Sequence, residues 1–126
     1  MTKTLKASFI DHINMEVKDL EQSVRFYKNL FGFEIKKEQP EEKSKIIGND
    51  NIKLCLYENP EMKPEGAIAH FGFHVENFDE VIMTCKSLGV PINYDGPVQF
   101  EKSRSIYISD PNGYDIELSE VFGGGL

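Results

Sequence analysis

Several things are scarce in this sequence, and each shortage closes off a class of function. Cationic side chains are outnumbered: 14 Lys and Arg against 21 Asp and Glu leave a formal charge of −7. Nucleic-acid affinity comes mainly from Lys and Arg neutralising phosphates, so the balance argues against a nucleic-acid partner. An anionic membrane surface is as poor a match. Long apolar runs are missing, with nothing near the roughly 18 consecutive apolar residues of a membrane span. The opening MTKTLKASF lacks the apolar core of a secretory signal. Two cysteines, Cys55 and Cys85, are too few for a disulfide scaffold and fit no CxxC pattern, so a reduced cytoplasm is the expected compartment. Histidine is scarcer still, at three residues. What remains is 126 residues at 40% apolar content, which fits one ordinary globular domain.

The domain says the same thing twice. The stretch DHINMEVKDLEQSV (11–24) and the stretch AHFGFHVENFDEV (69–81) share a shape: a histidine, an alternating run, a polar cap, then a helix. Aligning His12 with His70 sets Val17 on Val75, Asp19 on Asn77, Leu20 on Phe78, Val24 on Ile82, Lys28 on Lys86 and Leu30 on Leu88. The alignment slips by about one residue near Gly32 and Gly89, as a small deletion would require. An internal repeat of roughly 55 residues is a fold-level signal, and two copies imply paired modules rather than a solenoid. Residues 9–17 and 69–75 alternate with period two and predict strands. Asp19 and Asn77 are the expected N-caps, each with a Gln or Glu three residues on. Apolar residues then recur at helical spacing: Leu20, Val24, Tyr27 and Phe31 in one copy, Phe78, Ile82, Cys85 and Leu88 in the other. Gly32 and Gly89 stand where a helix C-cap needs a residue without Cβ. Further strands are expected around 33–38, 44–48 and 52–58, and around 91–94, 104–109 and 114–120. The fold class is therefore α+β, with two paired βαβββ modules at 8–58 and 67–122 joined by a linker at 59–66. The charged run KKEQPEEKSK (36–45) is expected to be a solvated hairpin loop.

Each first strand has one apolar face and one polar face, and the polar faces hold all three histidines. His12, Asn14 and Glu16 lie on one; His70 and His74 lie on the other. In the last strand YDIELSE (114–120), Ile116 and Leu118 point one way, so Asp115, Glu117 and Ser119 point the other. In IKLCLYE (52–58) the same alternation sets Cys55 at the place of Glu117. If each module curls its sheet, these faces line one cup, and His12, His70 and Glu117 converge there. Two imidazoles and a carboxylate with open positions describe a site for one divalent metal: Fe, Mn, Ni, Co or Zn. Cys55 stands as a fourth ligand or as a small buried residue.

On these residues the sequence resembles the vicinal-oxygen-chelate superfamily, which includes glyoxalase I, extradiol dioxygenases, fosfomycin-resistance enzymes and bleomycin-binding proteins. The resemblance runs over about residues 8–120. It is carried by FIDHINMEVKDLEQSVRFYKNLFGFE and by RSIYISDPNGYDIELSE, where YISDPNG sets a turn just before the strand bearing Glu117. It implies paired βαβββ modules, a homodimer, and a divalent metal held by His12, His70 and Glu117. It also implies a substrate bound through two neighbouring oxygens, as a lyase, isomerase or dioxygenase would bind it. The alternative is a metal-free binding protein of the bleomycin-resistance type, which sequesters a small molecule.

Departures limit the choice among these. Glyoxalase I enzymes carry a glutamate where this chain has Cys55, or one register away Leu54 or Leu56. Extradiol dioxygenases share the run matched by Tyr107, Asp110, Pro111 and Gly113, but also carry a histidine shortly upstream; VQFEKS (98–103) has none. Fosfomycin-resistance enzymes end in a basic tail, whereas this chain ends SEVFGGGL. A proton donor or acceptor is still needed, and His74 or Glu16, on the ligand strands and the ligand face, are the candidates. Tyr107 is a candidate donor to a developing oxyanion. Asn14, Lys102 and Arg104 are candidate substrate contacts, the last two as a local cationic loop in an acidic protein.

Overall fold

Helix formation in the first module starts where the sequence supplies an acceptor for orphan amides. Asp19 Oδ1 accepts from the Gln22 amide at 3.0 Å, and helix α1 runs Leu20–Phe31. Glu58, at the far end of the module, accepts from the Leu20 amide at 2.9 Å. The helix stops at Gly32, whose φ of 71° is the left-handed cap that a residue without Cβ adopts at low cost. Leu20, Val24 and Tyr27 are buried along the expected stripe.

The computed structural model describes residues 9–63 and 69–121. Part of the expected 59–66 linker and most of the tail SEVFGGGL lie outside the described residues. The chain divides into two compact units at Met62/Lys63. In the first, strands β1 (Ile13–Val17), β2 (Glu34–Gln39), β3 (Ser44–Gly48) and β4 (Lys53–Glu58) form a sheet in the order β1-β4-β3-β2. In the second, β5 (Phe71–His74), β6 (Val98–Gln99), β7 (Arg104–Ser109) and β8 (Asp115–Ser119) form the order β5-β8-β7-β6, and helix α2 spans Phe78–Ser87. In each unit the first strand lies parallel to the last, a pairing that needs a long crossover. These are the two βαβββ modules the repeat implies.

The registers coincide as well. Ile13 pairs with Leu54 and Phe71 with Ile116; Asn14 pairs with Cys55 and Gly72 with Glu117. Cys55 therefore holds in the first unit the position that Glu117 holds in the second. The alternating aliphatics supply both cores: Val17, Ile47, Leu54 and Leu56 in one, Ile106, Ile108, Ile116 and Leu118 in the other, each at most 1% exposed. Each such side chain contributes about 1.5–3 kcal/mol on burial.

Four expectations change. The first strands are shorter than 9–17 and 69–75, so His12 and His70 each sit one residue ahead of their strand, and Phe9 and Ile10 are exposed. No strand forms at 91–94. Pro91 cannot donate to a ladder, and Tyr94 and Asp95 take left-handed φ values of 57° and 62°, which end any extended run. The strand in that half is the short β6 instead. Asn77 caps α2 from a left-handed backbone, φ 55°, without a side-chain cap bond, and Leu88 falls past the end of the helix, half exposed. Finally, KKEQPEEKSK is mostly strand, with only Pro40–Glu42 forming a 3-10 turn. Its charges face solvent along β2, and Lys45 bridges Glu21 at 2.9 Å and Glu38 at 3.4 Å.

Candidate active site

The strand carrying Glu117 is set by the turn before it. Asp110 is buried, and its Oδ1 accepts from the amides of Asn112 and Tyr114, both at 2.9 Å. The Gly113 amide donates to the Asp110 carbonyl at 3.1 Å, with Gly113 at φ 97°. This is why the run DPNG fits here: an Asx-type acceptor, a proline to begin the turn, and a glycine for positive φ. The turn fixes β8 against β7 so that Tyr107 opposes Glu117 and Ser105 opposes Ser119.

Glu117 is 2% exposed. A buried carboxylate needs partners for its lone pairs. Its Oε1 lies 3.1 Å from His70 Nε2, and its Oε2 accepts from Ser105 Oγ at 2.8 Å and Ser119 Oγ at 3.2 Å. Gly72 leaves room beside it: a Cβ there would come within 3.2 Å of the Glu117 carbonyl oxygen. Tyr107 stands edge-on to His70, ring centres 5.8 Å apart, and edge-on to Tyr94 at 5.4 Å. Burial, then the charge of Glu117, pushes the Tyr107 phenol above its ordinary range. Tyr94 donates to Asp115 Oδ2 at 2.8 Å, and that bond raises its phenol too. Both phenols are thus held as proton donors.

The imidazole nitrogen and carboxylate oxygen that face one another are both metal-ligand atoms. With ligand bonds of about 2.1 Å, two ligands at a right angle on one ion stand about 3 Å apart, close to the observed spacing. A donor set of one imidazole and one buried carboxylate thus fits a divalent cation. Among the described residues no group of three or more His, Cys, Asp and Glu side chains gathers as a metal cage. His70 and Glu117 come together, both in the second unit. His12 belongs to the first, where its Nδ1 is 2.9 Å from Asp11 Oδ2, and that bond is the first cause holding the Asp11 carboxyl below its usual value.

The other candidates have the following surroundings. Asn14 is exposed on β1 opposite Cys55. Glu16 accepts from Asn59 Nδ2 at 2.9 Å. Cys55 is half-buried, and burial pushes its thiol up. His74, on β5, pairs with Ser119 of β8 and lies four residues from His70, a strand rise of about 13 Å that carries it beyond contact with the His70 ring. It opens instead on a cleft of about 660 Å³ lined by Glu76, Phe78, Asp79, Arg104 and Glu120. Lys102 is exposed in the β6–β7 hairpin. Arg104 is engaged within the unit: Nη2 and Nε donate to Glu120 at 2.7 and 2.9 Å, Nη1 donates to Asp79 at 3.2 Å, and the guanidinium lies 4.7 Å over the Phe78 ring. Ser105 was not among the candidates, although the alternation in RSIYIS already puts it on the face of Tyr107.

Twin βαβββ units, each closing its first strand parallel onto its last, with a histidine and a last-strand carboxylate joined in the second, define a class of metal-site proteins built on duplicated modules. The chain belongs to the Glyoxalase/Bleomycin resistance protein/Dioxygenase superfamily, whose family model matches residues 9–118. It is 30% identical over 126 aligned residues to the fosfomycin resistance protein FosX of Listeria monocytogenes, covering 94% of this chain and 92% of that protein. It is 26% identical to the catechol-2,3-dioxygenase of Bacillus subtilis, matching 94% of this chain but only 43% of that longer protein. Among solved structures, a variant of Listeria monocytogenes FosX complexed with Mn(II) and a dihydroxypropylphosphonic acid matches with a TM-score of 0.79 at 26% identity, covering 94% of this chain and 95% of that one. The metal-dependent enzyme reading of the sequence is the one these relatives support.

Proposed function

We propose that this protein binds one divalent metal through His70 and Glu117, with His12 the third ligand that the superfamily resemblance implies, and uses it to act on a small molecule held by two neighbouring oxygens. The observation that carries the reading is the buried Glu117 carboxylate 3.1 Å from His70, on the strand position where the first module has Cys55. Asp11 supports His12 as third ligand: a carboxylate on Nδ1 holds the proton there and leaves Nε2 for a metal. Cys55, whose thiol burial pushes up and whose proton a metal would have to displace, is left out of the ligand set, so that coordination positions remain for substrate and water.

A metal bound there would act as a Lewis acid, stabilising negative charge that develops on the substrate oxygens. The chain's own groups do the rest. Tyr107, kept protonated and hydrogen-bonded beside Glu117, turns its one O–H from that carboxylate to a developing oxyanion. The Tyr94–Asp115 pair walls the site next to it. Lys102, free of the partners that occupy Arg104, draws an anionic group towards the site. His74 and Glu16 contact only a substrate long enough to reach along the strands, and there take or give a proton. Catechol, in the dioxygenase's name, and the dihydroxypropylphosphonic acid complexed with Mn(II) and the FosX variant both carry two neighbouring oxygens, which supports a vicinal diol as the class of molecule bound here. The superfamily resemblance supports a homodimer, and the low cysteine count supports a reduced cytoplasm. Among the described residues no helix is long and apolar enough to cross a membrane.

Elemental analysis of protein purified without chelator or His-tag, beside a His70→Ala variant, tests this. Near-stoichiometric metal in the wild type and its loss in the variant is the expected result. Iron or manganese directs the search to oxygen-consuming or hydrolytic chemistry, and nickel, cobalt or zinc to isomerisation. No metal, and no uptake of added Fe(II), Mn(II), Ni(II), Co(II) or Zn(II), would overturn the enzyme reading in favour of a sequestering protein.

A further inference from the structure

Three polar side chains meet in the driest part of the second sheet. Glu117 is 2% exposed, Ser119 2% and Ser105 0%. The two serines face each other across β7 and β8, their hydroxyls 3.3 Å apart, and both lie against the same oxygen of Glu117. Serine fits poorly at such positions: a β-branched or apolar residue packs a buried strand better, and a buried hydroxyl must find an acceptor. Here both find Oε2. The other oxygen, Oε1, is the one turned to His70.

The first module is a built-in comparison. Register places Ser44 where Ser105 stands, Tyr57 where Ser119 stands and Cys55 where Glu117 stands. There Ser44 Oγ donates to Gln39 Oε1 at 3.1 Å. The module without the carboxylate has one of the two serines, its hydroxyl aimed elsewhere, and a tyrosine in place of the second. Two converging hydroxyls accompany the carboxylate and not the strand position as such.

We infer that Ser105 and Ser119 are positioning residues that divide the labour of Glu117: they hold Oε2 by hydrogen bonds so that Oε1 alone is presented to the metal. The inference rests on the metal reading above and deepens it. A carboxylate held at one oxygen keeps its plane fixed on a rigid strand. It cannot swing to take the metal with both oxygens, so one coordination position more stays open for a two-oxygen substrate. Partners of this outer kind change metal affinity by about 10–100-fold.

The test is calorimetric titration of Mn(II) into metal-free protein, well below the unfolding temperature, for wild type, Ser105→Ala, Ser119→Ala, the double alanine variant and Ser105→Thr. The expected result is about tenfold weaker binding in each alanine variant and a larger loss in the double. Threonine, which keeps the hydroxyl, should restore near-wild-type affinity. Cys85→Ala, a buried truncation on α2, is the control for destabilisation alone: its unfolding temperature should fall and its Mn(II) affinity should not. Equal affinity in wild type and the double variant would overturn the clamp while leaving the metal site standing, as would a loss that threonine fails to restore or that Cys85→Ala reproduces. A wild type that binds no Mn(II) and no other divalent ion would overturn both.

Discussion

At the residue scale, charged groups in this protein differ by whether their charge is already matched. Arg104 is the clearest case. Sequence placed it beside Lys102 as a cation awaiting an anionic substrate, yet its guanidinium is matched by Glu120 and Asp79 and stacked over Phe78. The bond to Arg104 is the first cause holding the Glu120 carboxyl below its ordinary value of 4.5. A depressed carboxyl contributes stability that is present above its unfolded value and is lost as pH falls through the folded one. Arg104→Gln should therefore lower the thermal midpoint at neutral pH. The gap to wild type should close as pH is taken below about 4.5, where the unfolded chain's carboxyls already hold their protons. Melting curves across pH 3–7 check this. A gap that does not change with pH would assign the loss to packing over Phe78 alone.

At the scale of elements, the two helices begin alike in sequence and differently in space, and that sets a contrast. Asp19 caps α1 through a side-chain bond, so Asp19→Ala should cost about 1 kcal/mol. Asn77 starts α2 from φ 55° with no such bond, so Asn77→Gly should be neutral or stabilising by a few tenths of a kcal/mol. Urea midpoints for the two variants, with unchanged slopes, decide it. The same contrast marks how far sequence reaches. Periodicity and caps place α1 and α2 because an amphipathic stripe and a terminal glycine are local signals. Alternation assigns β4, β7 and β8 and their buried aliphatics for the same reason. It fails at 91–94, where the decisive facts are the left-handed Tyr94 and Asp95 and the bonds from Asn93 and Tyr94 to β7 and β8, which are tertiary. It also could not see that Ser105 and Ser119 share one oxygen of Glu117, because facing is legible in a strand and hydrogen-bond partnership across strands is not. The strand positions of Cys55 and Glu117 were legible, since a repeat carries register with it.

At the scale of the whole molecule, duplication explains both the fold and its asymmetry. Two modules with the same register carry different chemistry at the equivalent strand position: a carboxylate with two hydroxyls in one, a half-buried thiol in the other. If only the second module's last strand supplies a ligand, metal should stabilise the protein by linkage through that strand and not through Cys55. A ligand that binds only the folded state adds about 2.7 kcal/mol at one hundred times its Kd. For a chain of this length that corresponds to a rise of several degrees in unfolding temperature. Saturating Mn(II) should produce this rise in wild type, and the rise should vanish in His70→Ala and in Glu117→Gln. Cys55→Ala should keep it, because the ligand position on the last strand is filled by Glu117 in the second module and the thiol only holds the equivalent place in the first. Loss of the rise in Cys55→Ala, with a folded baseline unchanged, would instead make the thiol a fourth ligand.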